Sequence, residues 1–164
     1  SASGRTPYCI GALEYAREAG ACCVGLSCNR PAELSAYSDI AIEVDAGPEI
    51  LTGSTRLKAG TAEKMILNMI STASMVGIGK VYGNLMVDMR ATNLKLVERA
   101  KRIVSMACSC TEEAAQAALL EADGGIKAAI VMILAGITAK EAKERLEIHK
   151  GFVRKCLDGA HGRA

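Results

Sequence analysis

Along the first ninety residues, apolar positions alternate between helical spacing and short unbroken runs. From Pro7 to about Gly20, Ile10, Leu13, Tyr15, Ala16 and Ala19 fall on one stripe with Glu14, Arg17 and Glu18 on other faces, which predicts an amphipathic helix. Thr6 stands where an N-cap belongs, and Pro7 suits a first helical position because an N–H is not needed there. Gly20 stops the run. Ala21 to Leu26 is then continuously apolar, which after a helix suggests a strand of a parallel sheet covered on both faces. Ser27 to Pro31 is its exit loop, a short turn of helix follows around Glu33–Tyr37, and Asp39 to Val44 reads as a second strand. After a loop from Asp45 to Gly53, Ser54 or Thr55 is expected to cap a long helix reaching about Lys80. Leu57, Met65, Leu67, Met69, Ile70 and Met75 are its expected buried members.

From Ala91 onward the spacing is helical throughout. Asn93 to Ala107 places Leu96, Ala100, Ile103, Val104 and Ala107 on one side, with Lys95, Arg99, Lys101 and Arg102 as a solvated basic face. Three short helices follow. Ser109-x-x-Glu112 has the pattern of a capping box, Gly124-Gly125 ends the helix it opens, and Ile126 to Leu134 is apolar up to Gly136. Thr138-x-x-Glu141 is a second capping box, for a helix running to His149, which is expected to complement that helix end.

Loop, helix, strand, loop, strand, loop and helix is the syntax of an α/β fold. Two parallel strands do not cover both helix layers, and there is no initiator Met, so the chain reads as the back half of an α/β domain cut at a loop. The expected domains are residues 1–90, a partial α/β domain, and 91–164, a linking helix with a small helical bundle.

Composition narrows the chemistry. The 164 residues are 50% apolar and 23% charged, and 20 basic against 18 acidic residues give a net charge of +2, which creates no strong field for nucleic acid or an anionic membrane. With four Tyr, one Phe and no Trp, base-stacking platforms are not expected. The longest weakly polar stretch, Met65 to Gly79, is interrupted by Asn68, Ser71, Thr72 and Ser74 and is too short to span about 30 Å of hydrocarbon. Seven cysteines at irregular spacing fit a reducing compartment, with Cys22-Cys23 read as small buried hydrophobes. Cys108-x-Cys110 lacks a second pair, and the histidines are only His149 and His161, so no metal site is expected.

Two loops stand immediately before helices and carry the candidate chemistry. Ser3-Gly4-Arg5-Thr6 offers two hydroxyls, a flexible backbone and a guanidinium. Gly53-Ser54-Thr55-Arg56 repeats the arrangement, with Lys58 one turn in. Unpaired N–H groups and the helix dipole favour an anion there by up to about 2 kcal/mol, and Arg can fork two phosphate oxygens. Both loops would fall at the carboxyl ends of the strands, where α/β sheets bind ligands. A phosphorylated small molecule is the inference. Neither a Walker loop nor a Gly-x-Gly-x-x-Gly is present.

Several motifs in order, Ser3-Gly-Arg-Thr-Pro-Tyr8, Gly25-Leu-Ser-Cys-Asn29, Gly47-Pro-Glu-Ile-Leu-Thr-Gly-Ser-Thr-Arg-Leu-Lys-Ala-Gly-Thr61 and Gly83-Asn-Leu-Met-Val-Asp88 with Ala91-Thr-Asn93, resemble the N-acetylmuramic acid 6-phosphate etherases. The resemblance covers essentially the whole chain and extends to the sugar isomerase (SIS) superfamily. It implies the back half of a SIS-type parallel α/β sandwich followed by a small all-helical bundle. It also implies a lyase that needs no cofactor, removes D-lactate from N-acetylmuramic acid 6-phosphate and leaves N-acetylglucosamine 6-phosphate. Cytoplasmic recycling of cell-wall sugars and a homodimer come with it.

By motif, Ser3, Gly4, Arg5 and Thr6 would hold phosphate and Gly53 and Ser54 would support the sugar phosphate, while Glu49 would touch a sugar hydroxyl. The elimination needs a base for the C2 proton and an acid for the departing oxygen. The family's two catalytic glutamates would lie upstream of the Ser3–Thr6 loop, so no catalytic residue is expected in this chain, and alone it should be inactive. Glu33 and Glu49 are expected to be solvated and not to replace them. Asn84 and Asp88, four apart in a helical turn after Gly83, are expected to make structural hydrogen bonds, and Met65, Met69, Met75, Met86 and Met89 to fill core or interface. The alternative is a sugar-phosphate sensor resembling glucokinase regulatory protein, which binds without cleaving.

Overall fold

The computed structural model describes residues 1–158, so His161 lies outside the described residues. Packing divides the chain into two compact units, with the division between Ser71 and Thr72.

In the first unit, α1 spans Pro7–Glu18 and ends in a Schellman arrangement. Gly20 (φ 80°) donates to the Arg17 carbonyl at 2.9 Å, and Ala21 reaches back to Ala16 at 2.9 Å. Strands β1 (Val24–Ser27) and β2 (Ile40–Glu43) pair in parallel with Val24 opposite Ile40 and Ser27 opposite Glu43. A 3₁₀ turn over Glu33–Tyr37 connects them and buries Leu34. Gly25 is needed at the middle of β1, because a Cβ there would overlap the Leu34 side chain and the Ser38 hydroxyl. The long helix α2, Lys58–Gly77, begins in this unit and runs past the division at Ser71.

Burial in this unit differs from the sequence expectation. Leu57, Met65, Leu67, Met69 and Ile70, and Met75 in the part of α2 beyond the division, are all exposed, from 41% at Met75 to 59% at Leu67, and only Ala59 of α2 is buried. An apolar face is buried only when another element covers it, and among the described residues none covers this one. The same holds for Val24 and Ile40, which are half exposed, so β1 and β2 are not covered on both faces. On α1, Ile10, Leu13 and Ala16 are half-buried, but Tyr15 and Ala19 face outward. Of the cysteine pair only Cys23 is buried; Cys22 is exposed.

The second unit has a closed core. A hairpin of β3 (Val81–Tyr82) and β4 (Leu85–Met86) replaces the helical turn expected after Gly83. Gly83 takes φ 59° at the first position of its two-residue loop, a conformation glycine enters without strain. Five helices follow: α3 (Leu94–Cys108), α4 (Glu112–Glu121), α5 (Ile126–Ala135), α6 (Ala139–Ile148) and α7 (Val153–Leu157). The last was not evident from the periodicity. Val104, Ala115, Ala129, Ile130, Val131 and Ala142 are fully buried, and Val87 after the hairpin joins them. The alanines let neighbouring helices approach closely while the branched residues fill the space between.

Capping follows the sequence at some helix ends and departs from it at others. Asn93 Oδ1 accepts from Leu96 N at 3.0 Å, and Thr138 with Glu141 forms a complete capping box. The Ser109 pattern fails. Ser109 sits in the left-handed region (φ 51°) as the residue ending α3, and Thr111 caps α4 by accepting from Ala114 N at 3.2 Å. Among the described residues no helix is long and apolar enough to cross a membrane.

Candidate functional site

The carboxyl ends of β1 and β2 feed two loops that converge, with the loop before α1, on one cleft of about 340 Å³ in the first unit. Its lining includes Ser3 and Arg5 from the first hydroxyl loop, Cys28 and Asn29 after β1, and Gly47, Glu49, Gly53 and Ser54 after β2. Five of the seven predicted binding residues, Ser3, Arg5, Glu49, Gly53 and Ser54, therefore share a single concave surface.

Gly4 and Thr6 do not line it. Gly4 is buried with φ 68°, and a Cβ there would stand 2.6 Å from the Ala32 Cβ and 3.1 Å from the Ser27 Cβ. The Gly4 carbonyl accepts from Leu34 N at 2.8 Å, so this residue seats the loop against the strand end. Thr6 precedes α1 as expected of an N-cap, but its hydroxyl makes no cap. It pairs instead with the Ser1 hydroxyl at 2.7 Å and the Ser3 hydroxyl at 3.3 Å. Three hydroxyls thus gather beside the start of α1, and Ser3 Oγ also accepts from Arg5 N at 3.4 Å. Among the described residues the Arg5 guanidinium has no carboxylate partner.

The second loop is fastened differently. Neither Ser54 nor Thr55 caps α2; the helix begins later, at Lys58. Glu49 takes that role from nine residues upstream, accepting from Lys58 N and Ala59 N at 3.2 Å each. A carboxylate at a helix N-terminus is favoured by the unpaired N–H groups and the dipole. Ser54 Oγ is left in a local turn, accepting from Arg56 N at 3.3 Å, and Gly53 (φ 85°) shapes that turn. Burial, with Glu63 nearby, pushes the Cys28 thiol above its ordinary value, so this lining cysteine is not an activated nucleophile.

No side-chain chemistry in the sequence marks Asn29, Cys28 and the 46–48 segment as ligand-facing. Their signal was positional: they follow strands at the carboxyl edge of the sheet. In the second unit, a cleft of about 930 Å³ is lined by Lys80, Asp88, Arg90, Asp123, Lys127 and Lys143, among others. Its charges are largely paired. Asp88 bridges Lys80 at 2.5 Å and Lys127 at 3.1 Å, and Lys143 meets Asp123 at 2.6 Å, which gives Asp88 the structural role expected of it.

Comparison with known proteins bears on both units. Over 158 residues, 96% of its length, the chain is 58% identical to an N-acetylmuramic acid 6-phosphate etherase 2 of Lactiplantibacillus plantarum. Over 157 residues it is 60% identical to an N-acetylmuramic acid 6-phosphate etherase of Mycolicibacterium smegmatis and 59% identical to one of a Geobacillus species. The chain is a relative of the N-acetylmuramic acid 6-phosphate etherases. It spans about half the length of these etherases, 53% of each. Residues 83–128, from the hairpin turn to the start of α5, also match the C-terminal lid domain of glucokinase regulatory protein. That match covers only part of the second unit, whereas the etherase similarity covers 96% of the chain, so the sensor alternative is not favoured.

Proposed function

We propose that this chain is the C-terminal part of an N-acetylmuramic acid 6-phosphate etherase and that its cleft binds the substrate's phosphorylated sugar. The observation that carries the reading is the convergence of the two hydroxyl loops on one cleft, in a chain whose similarity to etherases extends over 96% of its length. The phosphate goes to the first loop, where Ser3 and Arg5 face the cleft and the α1 N-terminus is free of a side-chain cap. The second loop already carries a carboxylate, Glu49, on the α2 amides, which suits it to neutral hydroxyls and not to a second anion.

The etherase reaction removes the sugar's C2 proton and protonates the departing lactate oxygen, which requires a base and an acid at the bound sugar. Among the described residues lining the cleft the one carboxylate is Glu49, and it is engaged on α2. We assign the base and acid to glutamates in the half of the etherase that this chain does not span. The exposed face of α2 is where that half, or the partner of a homodimer, would pack. The frame for this reading is a SIS-type domain over residues 1–90, followed by a linking helix and bundle over 91–164. The setting is cytoplasmic recycling of cell-wall sugar.

Titration of the chain with N-acetylglucosamine 6-phosphate, followed by D-lactate measurement on N-acetylmuramic acid 6-phosphate, tests the reading. Binding that is weakened by Ser3→Ala and Ser54→Ala is expected, with no lactate released until the missing half of the L. plantarum relative is supplied. Absence of binding would overturn the cleft assignment. Lactate release by the chain alone would overturn the placement of the acid and base.

A further inference from the structure

We infer that Asn29 is a positioning residue for the first hydroxyl loop, setting the cleft's affinity for a sugar phosphate without touching the ligand's phosphate itself. The inference rests on the sugar-phosphate reading of the cleft and deepens it. Asn29 follows β1 and lines the cleft beside Ser3 and Arg5. Its Nδ2 donates to the Ala2 carbonyl at 3.2 Å and to the Ser3 carbonyl at 3.2 Å. A side-chain amide has two N–H donors on one nitrogen, which matches two adjacent carbonyls; no carboxylate and no apolar side chain can do this. Among the described residues no other side chain donates to the carbonyls of Ala2, Ser3, Gly4 or Arg5.

Asn29 is itself held from a rigid point. The fully buried Ser27, last residue of β1, donates its hydroxyl to the Asn29 carbonyl at 3.0 Å. Cys28 N adds a backbone bond to the Ala2 carbonyl at 2.9 Å. The strand end therefore sets Asn29, and Asn29 sets the two peptide planes that carry Ser3 and Gly4. Each plane is rigid, so fixing its carbonyl also fixes its N–H and the position of the Cα that follows. With the carbonyls engaged, their lone pairs are not offered to an arriving phosphate, which they would repel. Asn29 is exposed, so these bonds should add little to global stability, and their effect should appear in binding.

The test is a set of double-mutant cycles on the chain, read as the dissociation constant of N-acetylglucosamine 6-phosphate with thermal unfolding alongside. Asn29→Ala is expected to weaken binding about tenfold while leaving the unfolding midpoint within a few degrees. If Asn29 acts through the first loop, Asn29→Ala and Ser3→Ala together cost clearly less than the product of their separate effects. Combined with Ser54→Ala on the other loop, the effects should multiply. Unchanged affinity in Asn29→Ala, while Ser3→Ala weakens binding, would overturn the inference and leave the cleft reading standing. Full multiplication with Ser3→Ala would overturn it as well. No binding by the unsubstituted chain, or none of it dependent on Ser3, would remove both. Should Asn29→Ala not fold, Asn29→Gln, which keeps the amide but displaces it by one methylene, enters the same cycles with the same criteria.

Discussion

The two units solve the problem of burial in opposite ways. In the second, Val104, Ile130, Val131 and three alanines are wholly enclosed by helices that the unit itself supplies. In the first, the buried apolar side chains are Cys23, Ala32, Leu34 and Ala59, while Tyr8, Tyr15, Met65, Leu67, Met69 and Ile70 lie exposed. What orders the first unit is mostly hydrogen bonding. It has a parallel pair of strands, loops tied to strand ends by Ser27, Asn29 and Glu49, and Glu43 holding Ala32 N and the Ser35 hydroxyl. A unit that presents so much apolar surface is shaped to pack against further protein, and its ligand-facing loops are where its polar order is concentrated. Among the described residues the bundle encloses a core of its own, and the α/β unit encloses far less.

The widest gap between them should appear in core truncations. Ile130→Ala removes a fully enclosed side chain and is expected to cost about 2–5 kcal/mol, measured by urea unfolding followed through far-ultraviolet circular dichroism. Leu67→Ala, at a position 59% exposed, should cost less than about 0.5 kcal/mol in the same experiment. If Leu67→Ala matched Ile130→Ala, the α2 face would be covered in solution, and the contrast between the units would fail. Repeating Leu67→Ala in an etherase with both halves present should raise its cost toward the core value.

A smaller effect separates two threonines that occupy the same position at their helices. Thr138 caps α6 in a reciprocal box with Glu141, so Thr138→Ala should cost about 1 kcal/mol. Thr6 precedes α1 but spends its hydroxyl on Ser1 and Ser3, so Thr6→Ala should cost only a few tenths of that. Its effect belongs in sugar-phosphate affinity. A stability loss at Thr6 equal to that at Thr138 would mean that its hydroxyl is an ordinary cap.

These pairs also show what the sequence makes legible. The parallel strands can be read because Ala21 to Leu26 and Asp39 to Val44 are runs whose local pattern is their whole signal. The Thr138 box was readable because both partners lie within four residues. The cap on α2 was not, since Glu49 reaches it across nine residues of loop and competes there with two nearer hydroxyls, Ser54 and Thr55. Two-residue strands at Val81–Tyr82 and Leu85–Met86 are too short to show a period. Burial of α2 is not legible, because periodicity reports which face is apolar and says nothing of whether a neighbour covers it. The cleft's hydroxyls could be named from the sequence, but the amide that steadies them, Asn29, becomes visible only when the loop after β1 is seen beside Ser3.

The smallest expected contrast is in acid, where each unit contains a carboxylate held below its ordinary range by a different kind of partner. Glu43 in the first unit is lowered chiefly by the Ser35 hydroxyl and the Ala32 N–H, which are neutral donors, with the exposed Arg30 guanidinium at 3.8 Å adding a smaller effect. Asp88 in the second is lowered chiefly by the Lys80 ammonium bonded to it, with Lys127 adding to the effect. A carboxylate depressed in the folded state favours folding above its unfolded pKa, about 3.9 for Asp and 4.3 for Glu, and this contribution is lost as pH falls through the folded value. Both Glu43→Gln and Asp88→Asn should therefore flatten the acid limb of the urea midpoint below about pH 4, with little change in its slope near neutrality. Salt separates the two. Raising ionic strength from roughly 0.01 to 1 M shortens the Debye length from about 30 to about 3 Å and should shrink the Asp88 contribution while leaving that of Glu43 nearly unchanged. Because Asp88 is about one-third exposed, the change is small, and the difference between parent and Asp88→Asn at each salt concentration is the quantity to compare. Equal salt sensitivity of the two variants would mean that Lys80 and Lys127 do not hold Asp88 as charges, and that both units resist acid by the same neutral hydrogen bonds.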